Sequence, residues 1–128
     1  MIKLKINSDP LLKDLLNKSL LTHAQIDTFY IDKLMKNEKL NKKIISRDDK
    51  KVSKSSFIRT LQQAKMNVQK ATYTIILADY LELINKDSIE QLIKISKMIN
   101  STRNIQSDQK HDLIKLLLIL IKNFSGEK

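Results

Sequence analysis

The feature that most restricts how this chain can fold is its shortage of turn-forming residues: its 128 residues include one glycine and one proline. Tight turns between strands depend on these two residues for most of their special backbone conformations. A β or α/β protein of this length would need many more of them. We therefore predict an all-α fold, and 128 residues with a 41% apolar fraction are enough for a single domain with its own core.

Two helix starts are indicated in the first third of the chain. Asp9 followed by Pro10 places a capping side chain before the residue best tolerated at the first helical position, which predicts a helix over about 10–19. Thr22 followed three residues later by Gln25 has the capping-box pattern, which predicts a second helix from about His23. The residues expected on its buried face are Ile26, Phe29, Tyr30 and Leu34.

The middle of the chain predicts one short and one long helical segment. A small apolar cluster of Leu40, Ile44 and Ile45 suits a short helix flanked by loops. From residue 53 to about 84, apolar residues recur at spacings of four and three, which indicates either one long helix or two helices broken near Asn67. This seam consists of Phe57, Leu61, Ala64, Val68, Ala71, Ile75 and Ala78.

Two further helices are predicted in the last third, for a total of five or six. One should begin at Asp87 or Ser88, where Glu90 and Gln91 complete capping boxes. The segment STRNIQSDQ is predicted as a loop before a final helix over about 109–124. The run LLLILI in that helix is too short to cross a bilayer, so either the helix is central to the core or its second face meets another subunit. We expect a homodimer. The inner side predicted for the fifth helix is Ile89, Leu92, Ile93, Ile95 or Ser96, and Ile99.

The positive charge is concentrated in one part of the chain. The formal net charge is +10, yet residues 1–32 are neutral overall and residues 71–128 carry only +1. Residues 33–70 hold twelve basic and three acidic residues, a net charge of +9. A lysine-rich codon usage would spread this excess along the chain. Its concentration instead favours a functional role, and a local basic region is typical of nucleic-acid binding.

The stretch VSKSSFIRTLQQAK, residues 52–65, lies in this basic region and combines a helix start with polar groups suited to DNA. Hydroxyls and backbone amides at a helix N-terminus suit phosphate, and arginine and glutamine make bidentate contacts to base edges. Arg59 and Gln63 lie one turn apart, a spacing that suits neighbouring base pairs. With the seam facing inward, the outer faces carry Arg59, Gln62, Gln63, Met66 and Lys70.

The same stretch resembles the recognition helix of region 4 of bacterial sigma factors and of LuxR-type response regulators, in which basic residues alternate with Leu and Ala after a serine-containing start. Upstream, LTHAQIDTFYIDKL at 21–34 is similar to the first helix of that unit. The resemblance covers about 21–70 and implies a helix-turn-helix unit that binds double-stranded DNA. The segment LNKKIISRDDKK, residues 40–51, departs from the family because it lacks the small Ala and the tight Gly turn and is a few residues too long.

The predicted architecture is a helix-turn-helix-like N-terminal half packed on a C-terminal helical bundle. It comprises a tail and helix (1–20), a helix-turn-helix-like basic region (21–70) and a helical core and dimerisation half (71–128). By the resemblance, the candidate DNA contacts are Ser53, Lys54, Ser55, Arg59, Gln62 and Gln63. The local positive charge predicts that the basic residues of 39–54 attach to phosphate. The full predicted DNA-binding set is Lys39, Lys42, Lys43, Arg47, Lys50, Lys51, Ser53, Lys54, Ser55, Ser56, Arg59, Gln62 and Gln63.

Other interpretations of the basic stretch stay open. One is that the stretch is an ordinary solvated helix with no binding role. The other is that the chain is a non-enzymatic helical adaptor that docks an acidic partner protein. Adhesion to an anionic membrane is disfavoured because the stretch lacks the bulky apolar face of an interfacial helix. Phe57, the only aromatic residue of 33–70, is predicted to be buried, which favours duplex DNA over single strands or RNA.

Residues suited to catalysis or metal binding are sparse, so we expect neither an enzyme nor a cofactor or metal site. His23 and His111 have no cysteine partner in a chain without cysteine, and the adjacent Asp48 and Asp49 lie among basic residues. A single glycine cannot form a phosphate-binding glycine loop. The lack of cysteine and of a signal-peptide-like start predicts a cytoplasmic protein. Together with the predicted DNA binding, this indicates a transcriptional regulator or a chromosome-associated protein.

Overall fold

A computed structural model describes residues 8–47, 52–102 and 107–126, and within them it contains six helices and no β-strand. The predicted all-α fold is therefore confirmed. The alternating start IKLKI, to which we assigned no structure, lies outside the described residues. The helices are α1 (Pro10–Lys18), α2 (His23–Leu34), α3 (Leu40–Ile45), α4 (Lys54–Tyr80), α5 (Ser88–Asn100) and α6 (Ser107–Phe124).

Both helix starts predicted in the first third of the chain are present, with the expected cap hydrogen bonds. The Asp9 carboxylate accepts from the backbone N–H groups of Leu11 (3.1 Å) and Leu12 (3.2 Å). At α2, the Thr22 hydroxyl accepts from the Gln25 N–H at 3.1 Å, and the Gln25 side chain accepts from the Thr22 N–H at 3.0 Å. These bonds satisfy amides that have no partner inside a helix, which fixes where both helices begin.

Helices α1, α5 and α6 pack together around one apolar cluster. Each helix contributes one buried side chain to it, Leu11, Ile95 and Leu117 respectively. The cluster therefore joins α1, which the sequence groups with the N-terminal tail, to the last two helices. The side chains that pack against the cluster are Ile99, Ile114 and Leu120.

An ion pair reinforces the contact between α1 and α6. The Nζ of Lys110 lies 3.1 Å from Oδ2 of Asp9, and the Lys110 side chain is only 10% exposed. Burial alone raises the pKa of the Asp9 carboxyl, but the backbone N–H of Leu12 and the Lys110 ammonium outweigh it, so this pKa lies below its ordinary value of 3.8. Asp9 therefore both caps α1 and holds α6.

Helices α2, α3 and α4 form a second group, in which α4 packs against both shorter helices. Ile31 of α2, Ile44 of α3, and Phe57 and Ala64 of α4 are buried. The short helix predicted around residues 40–45 is therefore present, and it has one buried side. This group positions the N-terminal half of α4, which carries the candidate site.

The inner face of α2 differs from the predicted one. Tyr30 and Leu34, expected to be buried, are 38% and 52% exposed, so the prediction is wrong for both. The inner face is rotated toward Asp27, whose carboxylate is tolerated inside because Arg47 lies beside it. Apolar periodicity cannot anticipate a buried charge pair. The buried residues of α2 are Asp27, Thr28 and Ile31.

Helix α4 is one continuous helix of 27 residues, so there is no break near Asn67. The side-chain Nδ2 of Asn67 donates to Oε1 of Gln25 at 3.2 Å and so ties α4 to the start of α2. The predicted seam is well buried only in its first half: Phe57 and Ala64 are 1% and 0% exposed, whereas Val68 is 43% exposed. The helices that cover α4 therefore lie against its N-terminal half.

The C-terminal end of α4 has a glutamate where glycine is usual. The N–H of Leu83 donates to the carbonyl of Ala78 at 2.9 Å, and the N–H of Glu82 donates to the carbonyl of Asp79 at 3.0 Å, which is the Schellman pattern. Glu82 has a φ of 58°, in the left-handed region. A residue with a Cβ costs about 1 kcal/mol in this conformation.

Helix α5 begins where predicted but without the predicted capping box. Asp87 is its N-cap residue and makes no side-chain cap hydrogen bond; instead, Nε2 of Gln91 donates to Oδ2 of Asp87 at 2.9 Å. Ile95 is buried as predicted, whereas Ile93 is 51% exposed. The final helix begins at residue 107, slightly earlier than predicted.

Candidate nucleic-acid interface

Most of the predicted DNA-contacting residues of α4 lie on its exposed side. Ser53 is the N-cap residue, and its hydroxyl oxygen accepts a hydrogen bond from the Ser56 N–H at 3.1 Å. Ser56 is half-buried because it lies at the edge of the packed face. The first turn of the helix is thus fixed by its own serines. The exposed residues of this half are Lys54, Ser55, Arg59, Gln62 and Gln63.

Helical periodicity explains this exposure. Phe57 lies on the face that packs against α2 and α3, so residues half a turn away project into solvent. Ser55, Arg59 and Gln62 share that outer side and span about 10 Å along the axis. Gln63 lies on its flank. Together they form one continuous polar surface, about as long as the major groove of DNA is wide.

Arg47 does not belong to this surface. Its side chain is only 3% exposed, and its Nε lies 3.7 Å from Oδ2 of Asp27, whose side chain is 2% exposed. The pair joins the residue after α3 to the inner face of α2. The prediction that Arg47 contacts phosphate is therefore wrong, because a guanidinium enclosed in this way is held by its internal carboxylate.

Lys43 is also turned inward. Its Nζ lies 2.8 Å from Oδ1 of Asp32, and its side chain is 13% exposed. The other oxygen of Asp32 lies 4.0 Å from the Nζ of Lys65, whose side chain is 50% exposed. Lys43 therefore links α3 to α2, whereas Lys65 keeps its ammonium at the surface.

The remaining predicted cations differ in their availability. Lys39, the N-cap residue of α3, is exposed. Lys42 forms a surface ion pair with Glu38 at 3.3 Å, and such exposed pairs are weak enough for phosphate to replace. Lys50 and Lys51 lie outside the described residues. The predicted phosphate contacts that lie at the surface are Lys39, Lys42 and Lys54.

The N-terminus of α4 is electrostatically positive. No acidic residue occurs between residues 50 and 78, and the first turn of α4 has Lys54 but no acidic side chain. Helices usually favour acidic side chains there, because the N-terminal amides carry partial positive charge. Residues 21–70 hold twelve basic and five acidic residues, a net charge of +7. Both features favour an anionic ligand at this end of the helix.

The prediction made from the recognition-helix pattern left out part of the cationic surface. Lys33 and Lys36 at the end of α2 and Lys65 on α4 are exposed, and none of them was among the predicted DNA-binding residues. They lie in the same +9 stretch, so the charge distribution contained the signal. The exposed cations therefore extend over α2 and α4 as well as α3.

The α2–α3–α4 group differs from a standard helix-turn-helix in its connection. Residues 46–53 join α3 to α4, whereas the turn of a helix-turn-helix usually has three or four residues. In addition, α3 has only six residues and α4 has 27. What the group shares with the motif is a short helix followed by a helix whose N-terminal outer side is exposed.

An open groove of about 660 Å³ lies between α5 and α6. Its apolar lining includes Ile95, Met98 and Leu120, and its polar lining includes Gln91 and Lys94. These residues belong to the α1–α5–α6 bundle. The groove is therefore separate in the fold from the cationic group of helices.

Other kinds of site have little support in the described parts of the chain. No group of three or more His, Cys, Asp or Glu side chains there is arranged to hold a metal ion. His23 and His111 are both exposed. Among the described helices, none has the length and apolar character needed to span a bilayer. The outer side of α4 is thus the main candidate surface.

Comparison with known proteins identifies no relative: no protein-family model, curated protein or solved structure matches the chain. The resemblance to sigma factor region 4 therefore depends only on the residues quoted from 21–34 and 52–65. A function for the α4 surface has to follow from its chemistry.

Proposed function

We propose that this chain binds double-stranded DNA, as a transcriptional regulator or a chromosome-associated protein. The observation that carries the proposal is the exposed N-terminal half of α4, which presents Ser55, Arg59, Gln62 and Gln63 on a helix with no acidic residue before Asp79. Side chains of these types contact phosphates and base edges in DNA-bound helices. The net charge of +7 on residues 21–70 supplies the attraction.

In this mechanism the lysines provide attachment and α4 provides sequence readout. Lys39, Lys42 and Lys54 contact backbone phosphates and release counterions. The N-terminal half of α4 enters the major groove, where Arg59 donates to guanine O6 and N7 and a neighbouring glutamine pairs with adenine. The ion pair of Arg47 with Asp27 holds α3 and α2 in the arrangement that presents this side of α4.

Duplex DNA suits this surface better than single strands do. Proteins that bind single-stranded nucleic acid stack the bases on exposed aromatic rings. Phe57 is 1% exposed, so it offers no such platform. Tyr73 and Tyr80 are exposed, but they lie farther along α4 beside the aliphatic Ile76 and Leu77. That environment suits contact with protein.

Titration of a labelled random duplex at increasing salt concentration tests the proposal. If about six cations meet phosphate, the affinity should fall roughly a thousandfold between 50 and 200 mM salt. Single-stranded DNA of equal length serves as the control and should bind more weakly. A binding constant that does not change over this range of salt would reject phosphate attachment as the source of affinity.

A non-enzymatic adaptor function is the second candidate, and the exposed apolar side chains on the C-terminal half of α4 favour it. In that function the lysines would bind an acidic partner protein. A gel shift with random duplex and a pull-down repeated after nuclease treatment distinguish the two functions. Partners that survive nuclease, together with no duplex shift, would support the adaptor.

A further inference from the structure

Exposed apolar side chains are concentrated on the C-terminal half of α4. Tyr73 and Tyr80 are 73% and 82% exposed, Ile76 and Leu77 are 57% and 56% exposed, and Met66 is 51% exposed. Single exposed apolar residues are common on protein surfaces. A continuous stripe of them along one helix marks an interaction surface.

The stripe has the spacing of a coiled coil. Three of its residues are seven apart, and the first two are each followed by another residue three positions later, which are the a and d positions of a heptad. The stripe lies on the outer side of α4, in line with Arg59 and Gln62, so this side changes from polar to apolar halfway along the helix. The a positions are Met66, Tyr73 and Tyr80, and the d positions within the helix are Gln69 and Ile76.

We propose that two copies of this chain dimerise by packing the C-terminal halves of their α4 helices antiparallel. In this arrangement the two helices overlap over residues 69–80, and within the overlap each a residue faces a d residue of the other copy. Tyr73 of one copy faces Ile76 of the other, and Tyr80 faces Gln69. The twofold axis passes between residues 74 and 75, and the contact is closed and self-complementary.

The distribution of charge favours a second copy and sets its direction. Lys70 is the only basic residue between 66 and 83, so two copies can approach here despite the net charge of +10. In a parallel pair, Arg59, Lys65 and Lys70 of the two copies would lie close together and repel one another. The antiparallel pair places Arg59 and Lys65 of the two copies at opposite ends.

The available area is sufficient for a stable dimer. The four exposed side chains within the overlap, Tyr73, Ile76, Leu77 and Tyr80, present on the order of 600 Å² per copy. This equals the share of each partner in the smaller standard interfaces, which bury about 1,200 Å² in total. The two tyrosines provide the largest contribution, and tyrosine is enriched among the residues that dominate binding energy.

The other surface expected from the sequence, the second face of α6, is less suitable. Its outer side carries the charged residues Asp112, Lys115 and Lys122. Leu117 and Leu120 of its apolar run face α1 and α5. The other side chains of the run, Leu116, Leu118, Ile119 and Ile121, are 42–58% exposed, less than the 73% and 82% of Tyr73 and Tyr80. The dimer surface is therefore assigned to α4.

This dimer does not rest on DNA binding, but it is compatible with it. The N-terminal half of each α4 extends past the end of the other copy's α4 in the proposed register. Arg59 and Gln62 therefore lie outside the overlap of the two helices, one set at each end of the pair.

Sedimentation equilibrium of the full chain over a range of concentrations tests the dimer. The wild type should reach twice the mass of the 14.9 kDa chain, and Tyr73→Glu with Ile76→Glu should weaken dimerisation at least tenfold. Both side chains are largely exposed, so the circular dichroism spectrum should stay unchanged. Ile119→Glu, a similar change on α6, should dimerise like the wild type. A monomeric wild type, or a dimer unaffected by the α4 substitutions, would overturn the proposal.

Cysteine pairs test the direction, because the chain has no cysteine of its own. A mixture of Gln69→Cys chains and Tyr80→Cys chains should form a disulfide-linked pair, whereas Gln69→Cys chains alone should stay unlinked. Linkage of Gln69→Cys chains to one another would indicate a parallel pair and overturn the antiparallel arrangement. Neither experiment contains DNA, so a failure of DNA binding leaves both results unaffected.

Discussion

The Nε of Arg47 lies 3.7 Å from Oδ2 of Asp27, and both side chains are almost completely buried. Arg47 follows α3 and Asp27 lies on the inner face of α2, so the pair joins two helices that both pack against α4. A buried charge is tolerated only while its partner is present, because neither group can recover its hydration. Arg47 therefore stabilises the packing of the core, although it lies in the middle of the basic stretch of the sequence.

Removing one member of this pair should destabilise the protein strongly. Arg47→Met removes the guanidinium beside the buried Asp27 carboxylate, and we expect the free energy of unfolding to fall by about 3–5 kcal/mol. Asp27→Leu combined with Arg47→Met should cost much less than the two single changes added together. Urea unfolding of the single and double variants measures this coupling. Strictly additive costs would show that the two side chains are independent.

Ile44 and Ile45 are neighbours in α3 with opposite environments, 7% and 74% exposed. Ile44→Ala should lower the free energy of unfolding by about 2–4 kcal/mol, because it removes buried methyl and methylene groups and leaves a cavity. Ile45→Ala should change it by less than about 0.5 kcal/mol. Chemical denaturation compares the two variants directly. Similar losses for both would mean that α3 packs differently from the arrangement described.

Glu82→Gly should stabilise the protein. The left-handed φ of 58° at Glu82 suits glycine, which has no Cβ to clash, and we expect a gain of about 0.5–1 kcal/mol. Glu82→Ala is the matched control, because alanine removes the same carboxylate and keeps the Cβ. The urea midpoint of the glycine variant should rise, and that of the alanine variant should not. A rise in both midpoints would attribute the effect to the lost charge.

The Asp9–Lys110 pair should make the α1–α6 contact sensitive to acid. Because the pKa of Asp9 is lowered by folding, its contribution to stability is complete above the ordinary carboxyl value of 3.8 and is lost as the pH falls through the lower folded value. Lys110→Met should make the loss of stability below pH 3.8 shallower, which thermal unfolding at several pH values measures. Asp9→Asn should cost about 1–3 kcal/mol at neutral pH, because the largely buried Lys110 ammonium loses its carboxylate partner.

The proposed DNA-binding mode predicts a different effect on DNA binding for each of three single alanine substitutions. Arg59→Ala should cost about 1–3 kcal/mol of binding free energy and relax the preference at one base position, because it removes a base contact. Lys54→Ala should weaken all sequences alike and lower the salt slope by about 1, as expected for a phosphate contact. Lys115→Ala removes the same charge from an exposed position on α6 and should leave DNA binding unchanged. Equal losses from all three would indicate attraction by net charge alone.

The local features of the chain were predictable from its sequence. The shortage of glycine and proline indicated helices, and Asp9 and the Thr22–Gln25 pair marked the starts of α1 and α2. The stretch from residue 53 was correctly assigned to a helix, and its outer polar residues, Arg59 among them, are exposed as expected. These properties depend on hydrogen bonds and periodicity within a few residues, which a single sequence contains.

The tertiary structure decided which of these residues meet other parts of the chain. It placed Arg47 and Lys43 inside, against carboxylates of α2. It left Val68 of the α4 seam exposed and Ala71, Ile75 and Ala78 only partly buried. It also brought α1 to the C-terminal helices. Whether a side chain is buried depends on which distant segment packs against it, and that contact carries no signature in the local spacing of residues. The sequence therefore determined the helices and their polar faces, and packing between distant helices decided which of those faces stayed free to bind.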